Sequence, residues 1–321
     1  MQDLALIINN ALDSLDWEKQ PAGLYSPIAY ALSSGGKRIR PLLTLLGASV
    51  FGTDPQKAVP AALAIEIFHN FTLLHDDVMD NAPLRRGKPS VHAKWDDNTA
   101  ILSGDQMLIE AYKQLALLPA PVLPEVLRVF NRMGTEICEG QQLDVDFQSK
   151  EDVSEEEYIS MIRRKTSVLL GSALQIGAII AGADMQAQNG LYEYGINLGL
   201  AFQIQDDLLD IYGDPETFGK AIGGDILEGK KTFAYIAALH SASPLQRQQL
   251  RQLLQSHPAS AQEKIQGVTQ LYNQLGVKQS CEEAVGFYTK QALANLDNIR
   301  ANKDKILMLK KLAVDLLARK D

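Results

Sequence analysis

The 321-residue chain has only two cysteines, Cys138 and Cys281, far apart and in no metal-ligand spacing. That excludes a disulfide framework and a thiolate metal site, and it fits a reduced, cytoplasmic setting. Aromatic residues make up only 7%. Alternating Val/Ile/Thr runs and Asn-Gly hairpin signals are missing, which argues against a sheet. No uninterrupted apolar run approaches the ~18–20 residues of a membrane span. The closest, "VLLGSALQIGAIIAGA" from Val168 to Ala183, is broken by Ser, Gln and Gly. The N-terminal "MQDLALIINNALDSLDWEKQ" lacks the basic segment and long apolar run of a signal peptide. Positive charge is in deficit: 31 Lys and Arg against 39 Asp and Glu, a net −8. Such a chain offers no diffuse basic surface to nucleic acid; its net charge does not exclude a local basic pocket.

What is present is helical periodicity nearly throughout. Hydrophobic residues make up 46%, enough for a large core. "PAALAIEIFHNFTLLHDD" is apolar on most faces and starts with Pro60, which suits a first helical turn. "SEEEYISMIRRKTSVLLGSALQIGAIIAGA" opens with Ser154 and has Glu157 three residues on, a capping-box signature. Helices apolar over more than half their circumference belong at the centre of a large all-α domain. Breaks at "FGTDPQ", "NAPLRRGKPS", "LLPAPVLP", "YGDPETFGKAIGGD" and "HSASP" do not read as interdomain linkers. The expectation is one all-α domain over residues 1–321 with a central helical bundle.

Two apolar helices end in acid. "LLHDDVMD" brings Asp76, Asp77 and Asp80 together, and "QDDLLD" brings Asp206, Asp207 and Asp210 with the same internal spacing. Carboxylates four apart share a helix face and repel, and a helix C-terminus disfavours them further. A hard divalent cation would neutralise them. With no Cys or ligand-spaced His nearby, the donor set points to Mg²⁺, which keeps waters and takes other ligands from phosphates. Two solvated helix ends are the plain alternative.

Basic islands complement the acids. "SGGKRIRP" sets Lys37, Arg38 and Arg40 after Gly35 and Gly36, whose backbone can approach an anion, with Pro41 able to begin a helix. "LRRGKP" supplies Arg85 and Arg86, able to fork onto a diphosphate or to pair with the nearby aspartates. "RRKTS" puts Lys165 and Thr166 into an apolar helix, where a buried lysine needs an anion. "YGDPETFGKAIGGDILEGKKT" reads as a glycine-rich loop carrying Lys220 and Lys230, a candidate lid.

In this order, "GGKRIRP", "HDDVMD…LRRG", "RKTS", "FQIQDDLLD" and "GKAIGGDILEGKKT" resemble the trans-isoprenyl diphosphate synthases, or polyprenyl synthetases, over roughly Gly35 to Thr232. The resemblance implies an all-α isoprenoid synthase fold with a deep cavity, as a homodimer. It implies about three Mg²⁺ ions bridged by substrate diphosphate. Asp76, Asp80 and Asp206 would be principal ligands, with Asp77, Asp207 and Asp210 supporting them. Gly36, Lys37, Arg40, His69 and Arg86 would hold the diphosphate of isopentenyl diphosphate. Arg85, Lys165, Lys220 and Lys230 would contact that of the allylic partner, and Thr166 and Gln203 would line the reacting carbons. Gln141 and Asp144 match a pattern on the cavity wall. Arg319 and Lys320 have no assigned role.

The implied reaction is head-to-tail condensation, without a side-chain nucleophile. Phe71 lies five residues before Asp76, roughly 7.5 Å down the helix axis, and Phe68 eight before, roughly 12 Å. Both are candidate chain-length walls. Only Val78 and Met79 separate the aspartates of the first motif, whereas bacterial farnesyl diphosphate synthases commonly carry two extra residues there. The expected product is therefore geranylgeranyl diphosphate (C20), with farnesyl diphosphate (C15) next. A class I terpene cyclase and a non-catalytic synthase subunit are the alternatives. A cyclase needs no second diphosphate site, and a non-catalytic subunit would be expected to lack aspartates.

Overall fold

The computed structural model describes residues 1–213, 222–256 and 260–317. Lys220, most of the expected lid, Arg319 and Lys320 lie outside the described residues. The chain divides into two compact units. The first comprises Met1–Asn131, Ser172–Tyr192 and Arg300–Ile306; the second comprises Arg132–Gly171, Glu193–Ile299 and Leu307–Asp321.

Up to residue 115 the helices are α1 (Gln2–Asp13), α2 (Ala22–Ser33), α3 (Ile39–Ser49), α4 (Val59–Met79), α5 (Val91–Lys94) and α6 (Asp97–Leu115). Next come α7 (Leu123–Ser149), α8 (Glu155–Ile162), α9 (Val168–Ile180) and α10 (Met185–Tyr212). The remaining described helices are α11 (Gly224–Glu228), α12 (Phe233–Ser241), α13 (Pro244–Gln255), α14 (Ala261–Gln274), α15 (Val277–Asp297) and α16 (Lys303–Leu317). The all-α expectation holds.

In the first unit α4 is the central helix. Every residue from Ala61 to Phe68 is buried, so the helix is surrounded on all sides, as its nearly continuous apolar run requires. It packs most extensively against α6. One expectation needs correcting here. Among the described residues, Pro55–Met79 is long and apolar enough to cross a membrane, rather than the Val168–Ala183 stretch. In this structure 61% of its apolar window is buried inside the protein, as befits a core helix.

Local chemistry changed three sequence readings. "NAPLRRGKPS" is not a plain break: Leu84–Arg85 (β1) pairs antiparallel with Lys88–Pro89 (β2). Arg86 and Gly87 form the two-residue turn with φ of 53° and 74°, the sign pattern that suits a tight hairpin. α3 begins at Ile39, two residues before Pro41, with Arg38 at its N-cap in the left-handed region at φ 48°. The single long helix expected from Ser154 is interrupted at Arg163–Ser167 by a π-helical turn. Its capping box at Ser154 and Glu157 is present as expected.

Candidate active site

In the first unit, the acidic end of α4 sorts its three carboxylates. Asp77 is buried, Asp76 is partly exposed, and Asp80, capping the helix, is exposed. Rotation of about 100° per residue puts the neighbours Asp76 and Asp77 on different faces, and Asp80 is exposed because it stands past the last helical residue. Asp77 has a protein partner. Arg85 donates to its Oδ1 from Nε at 2.9 Å and also from Nη2. The tight hairpin folds back from the helix end and delivers that guanidinium; the Ala82 N–H meets the Asp77 carbonyl at 2.9 Å.

Arg86, in the same turn, reaches the "SGGKRIRP" segment. Its Nη1 donates to the Gly35 carbonyl. Gly36 leaves room for it: a Cβ there would lie 2.8 Å from the Arg86 Cζ. The glycine pair therefore admits a guanidinium as well as any anion. A small cleft beside the hairpin is lined by Tyr30, Asn70, Asp77, Arg85 and Arg86, among others.

His69 lies on α4 two turns before Asp76. Burial holds its imidazole well below the ordinary range, and the guanidiniums of Arg40, Arg86 and Arg85 push it further down. It is neutral near pH 7 and offers one N–H donor to an anion. Sequence reasoning missed its neighbour Glu66, only 4% exposed. Burial raises the Glu66 pKa, opposed first by Arg40 and then by the Asn70 side chain, which donates to Glu66 Oε1 at 3.1 Å. The visible signal was a lone acid inside an apolar run, one turn from His69.

The depressed His69 pKa fixes a stability prediction. As pH falls through the unfolded value of 6.5, the unfolded chain takes up a proton that the folded chain refuses, so stability drops. His69→Gln, neutral at every pH, is expected to shrink the drop in melting temperature between about pH 7.5 and about pH 5.5. Equal drops in the two proteins would remove this assignment.

The second unit repeats the sorting. Asp207 is buried, while Asp206 and Asp210 are partly exposed. The backbone N–H of Phe233 donates to Asp207 Oδ2 at 3.2 Å, the Gln203 amide donates to its Oδ1 at 3.2 Å, and the Tyr158 hydroxyl donates to Oδ2. Burial pushes the Asp207 carboxyl up to about 7, with Asp225 adding to the rise. Asp210 Oδ2 accepts the Asp225 N–H at 3.1 Å, so it fastens the start of α11 to the end of α10.

Lys165 and Thr166 stand in the π-helical turn. A wide turn aims side chains that a regular helix would point elsewhere, and such turns are common at functional sites. Gly140 on α7 makes the turn possible, since a Cβ there would lie 2.4 Å from the Lys165 nitrogen. Lys165 Nζ donates to Asp144, and Thr166 Oγ1 donates to Gln203 Oε1 at 3.1 Å. Lys230 pairs with Glu228 at 2.7 Å and Asp225 at 3.5 Å. Its neighbour Lys231 donates to the Phe147 carbonyl at 2.7 Å, capping the end of α7.

Among the described residues, no three His, Cys, Asp or Glu side chains form a ready-made metal group. The donor set still fits Mg²⁺. Asp80 is exposed and Asp76, Asp206 and Asp210 are partly exposed; all are hard oxygen donors, and Mg²⁺ commonly uses only one or two carboxylates and completes its shell with water and phosphate. Asp77 and Asp207, expected to support the metal as ligands or from behind the ligands, are the buried members of their clusters and accept protein donors.

A family model described as polyprenyl synthetase matches residues 21–273. The chain is 44% identical over 250 residues to the geranylgeranyl pyrophosphate synthase of Geoglobus acetivorans, covering 77% of each chain. It is 41% identical to the geranylfarnesyl diphosphate synthase of Natronomonas pharaonis, covering 73% of each. A crystal structure of a geranylgeranyl pyrophosphate synthase superposes with a TM-score of 0.95 at 46% identity, covering 100% of this chain and 99% of the other.

Proposed function

Since the chain belongs to the polyprenyl synthetase family, we propose that it is a short-chain trans-prenyltransferase joining isopentenyl diphosphate to an allylic diphosphate, with geranylgeranyl diphosphate as its product. One observation carries the reading. A single helix, α4, carries His69, held neutral by burial and by the charges of Arg40, Arg86 and Arg85, and, seven residues later, the partly exposed Asp76 and the exposed Asp80 at its C-terminal end. That pairs an anion site with a cation site, roughly 10.5 Å apart along the axis. Two substrates that each carry a diphosphate require such a pairing, whereas a cyclase acting on one diphosphate does not.

In this reading Lys37, Arg40, His69 and Arg86 hold isopentenyl diphosphate with its double bond toward the allylic carbon. Mg²⁺, when bound by Asp76, Asp80 and Asp206, would neutralise the allylic diphosphate and favour its departure. Arg85, Lys165 and Lys230 add positive charge to that leaving group, with Lys220 expected to join them. The Thr166 hydroxyl and Gln203 amide, already bonded to each other, present dipoles to the positive carbon. The double bond attacks that carbon, and loss of a proton, with departing pyrophosphate as acceptor, restores an allylic product. Exposed Ile101, Leu102, Ile109 and Tyr112 on α6 support a homodimer, and the free Cys138 and Cys281 suit a cytoplasmic setting. The function is tested by incubating the protein and Mg²⁺ with an allylic diphosphate, with and without isopentenyl diphosphate. Condensed product is expected only with both.

Gly36→Ala isolates the isopentenyl diphosphate side. The added Cβ collides with the Arg86 guanidinium, and Gly36 sits at φ +123°, a conformation L residues avoid. A charge-assisted hydrogen bond is worth roughly 1.5–3 kcal/mol. KM for isopentenyl diphosphate is therefore expected to rise about tenfold or more, with KM for the allylic partner unchanged. Equal shifts in both would contradict the assignment.

A further inference from the structure

We infer that Tyr158 is a positioning residue for the second acidic segment: its hydroxyl fixes Asp207, and thereby the turn of α10 that presents Asp206 and Asp210. The inference rests on the reading above that Asp206 ligates Mg²⁺.

Tyr158 and Asp207 are 49 residues apart in sequence, and they are 3% and 4% exposed. A carboxylate so buried must be supplied with donors. Three reach it, from three different elements. Tyr158 comes from α8, the Phe233 N–H opens α12, and Gln203 lies one turn earlier on α10. With Asp207 drawn inward, a rotation of about 100° per residue turns its neighbour Asp206 toward the partly exposed side, and Asp210, one turn on, is partly exposed as well. The same node holds Gln203, whose other amide atom accepts from Thr166. Phe233 follows directly on the segment bearing Lys230 and Lys231. One buried hydroxyl thus braces the acidic turn, the Thr166–Gln203 pair and the end of the lysine segment.

The apolar part of the Tyr158 ring is already packed, with the Phe233 ring at 6.4 Å between centroids. Phenylalanine would fill the same space, so the hydroxyl alone can be removed. Residues that orient metal ligands typically change metal affinity or activity by about 10–100-fold when altered. Tyr158→Phe is expected to weaken uptake of Mg²⁺ with inorganic pyrophosphate, measured calorimetrically, by about tenfold. In steady-state assays it is expected to raise the half-saturating Mg²⁺ concentration while leaving KM for isopentenyl diphosphate unchanged. Asp207→Asn, close in shape, is expected to do the same, and Tyr158→Phe in that background is expected to add little, because both act through one contact.

Wild-type Mg²⁺–pyrophosphate affinity in either single variant overturns the inference, and so does full additivity in the double variant. If Tyr158→Phe does not fold, Asp207→Asn alone carries the comparison. A wild-type protein that takes up Mg²⁺–pyrophosphate but forms no condensed product removes the proposed function and leaves the Tyr158 comparison valid. One that takes up none overturns both.

Discussion

Asp76→Ala is expected to lower kcat by roughly 10³-fold at saturating substrate, a loss of about 4 kcal/mol of transition-state stabilisation. Asp76 is partly exposed at the end of α4, whereas its neighbour Asp77 is buried beneath Arg85. Removing Asp76 takes away charge that would hold Mg²⁺ against the leaving diphosphate, without opening the core. It also relieves repulsion with Asp80 one turn later, worth a few tenths of a kcal/mol. Activity and stability should therefore move in opposite directions, with melting temperature unchanged or slightly raised. Steady-state kinetics across a Mg²⁺ series, beside thermal unfolding, gives both readings. A kcat near wild type at high Mg²⁺ would show that Asp76 is not a ligand.

Phe71→Ala is expected to move the main product beyond C20. The Phe71 ring is partly exposed and held edge-on between Phe68, at 5.4 Å, and His75, at 4.9 Å between centroids. It lies roughly 7.5 Å below Asp76 along the helix, where a chain growing from the metal site would meet it. Phe68 has a different situation. It is 3% exposed and packs on Phe130 at 5.2 Å. Its ring lies directly against Phe71 and stays in place in the variant, so lengthening is expected to be limited. A Phe→Ala change in a full core costs roughly 3–5 kcal/mol, and the partly exposed Phe71 should cost less, leaving a folded enzyme to assay. Mass spectrometry of extracted products reads the outcome; an unchanged distribution would remove Phe71 as the wall.

The all-helical class was legible because apolar periodicity and the scarcity of strand signals agree along nearly the whole chain. The two acidic clusters and the basic islands were legible because charge inside apolar helices is costly and therefore conspicuous. The division of labour within each cluster was not. Asp76 and Asp77 look equivalent as letters, and so do Asp206 and Asp207. What separates them is a partner from outside the helix: Arg85 delivered by a hairpin, Tyr158 delivered by α8. The hairpin carries no turn signal in the sequence, because Arg86 adopts a left-handed conformation that its residue type rarely favours. The π-helical turn left no mark in the periodicity, since Gly140, the residue that admits it, lies on another helix.

The central claim is that two diphosphate-bearing substrates are joined here to a C20 product. Its most direct test supplies purified protein and Mg²⁺ with isotopically labelled isopentenyl diphosphate and dimethylallyl, geranyl or farnesyl diphosphate in turn, with product masses read for each primer. Label is expected in geranylgeranyl diphosphate from every accepted primer, with no conversion of primer alone. A cyclic hydrocarbon formed from an allylic diphosphate alone, or no labelled product with any primer, would contradict it.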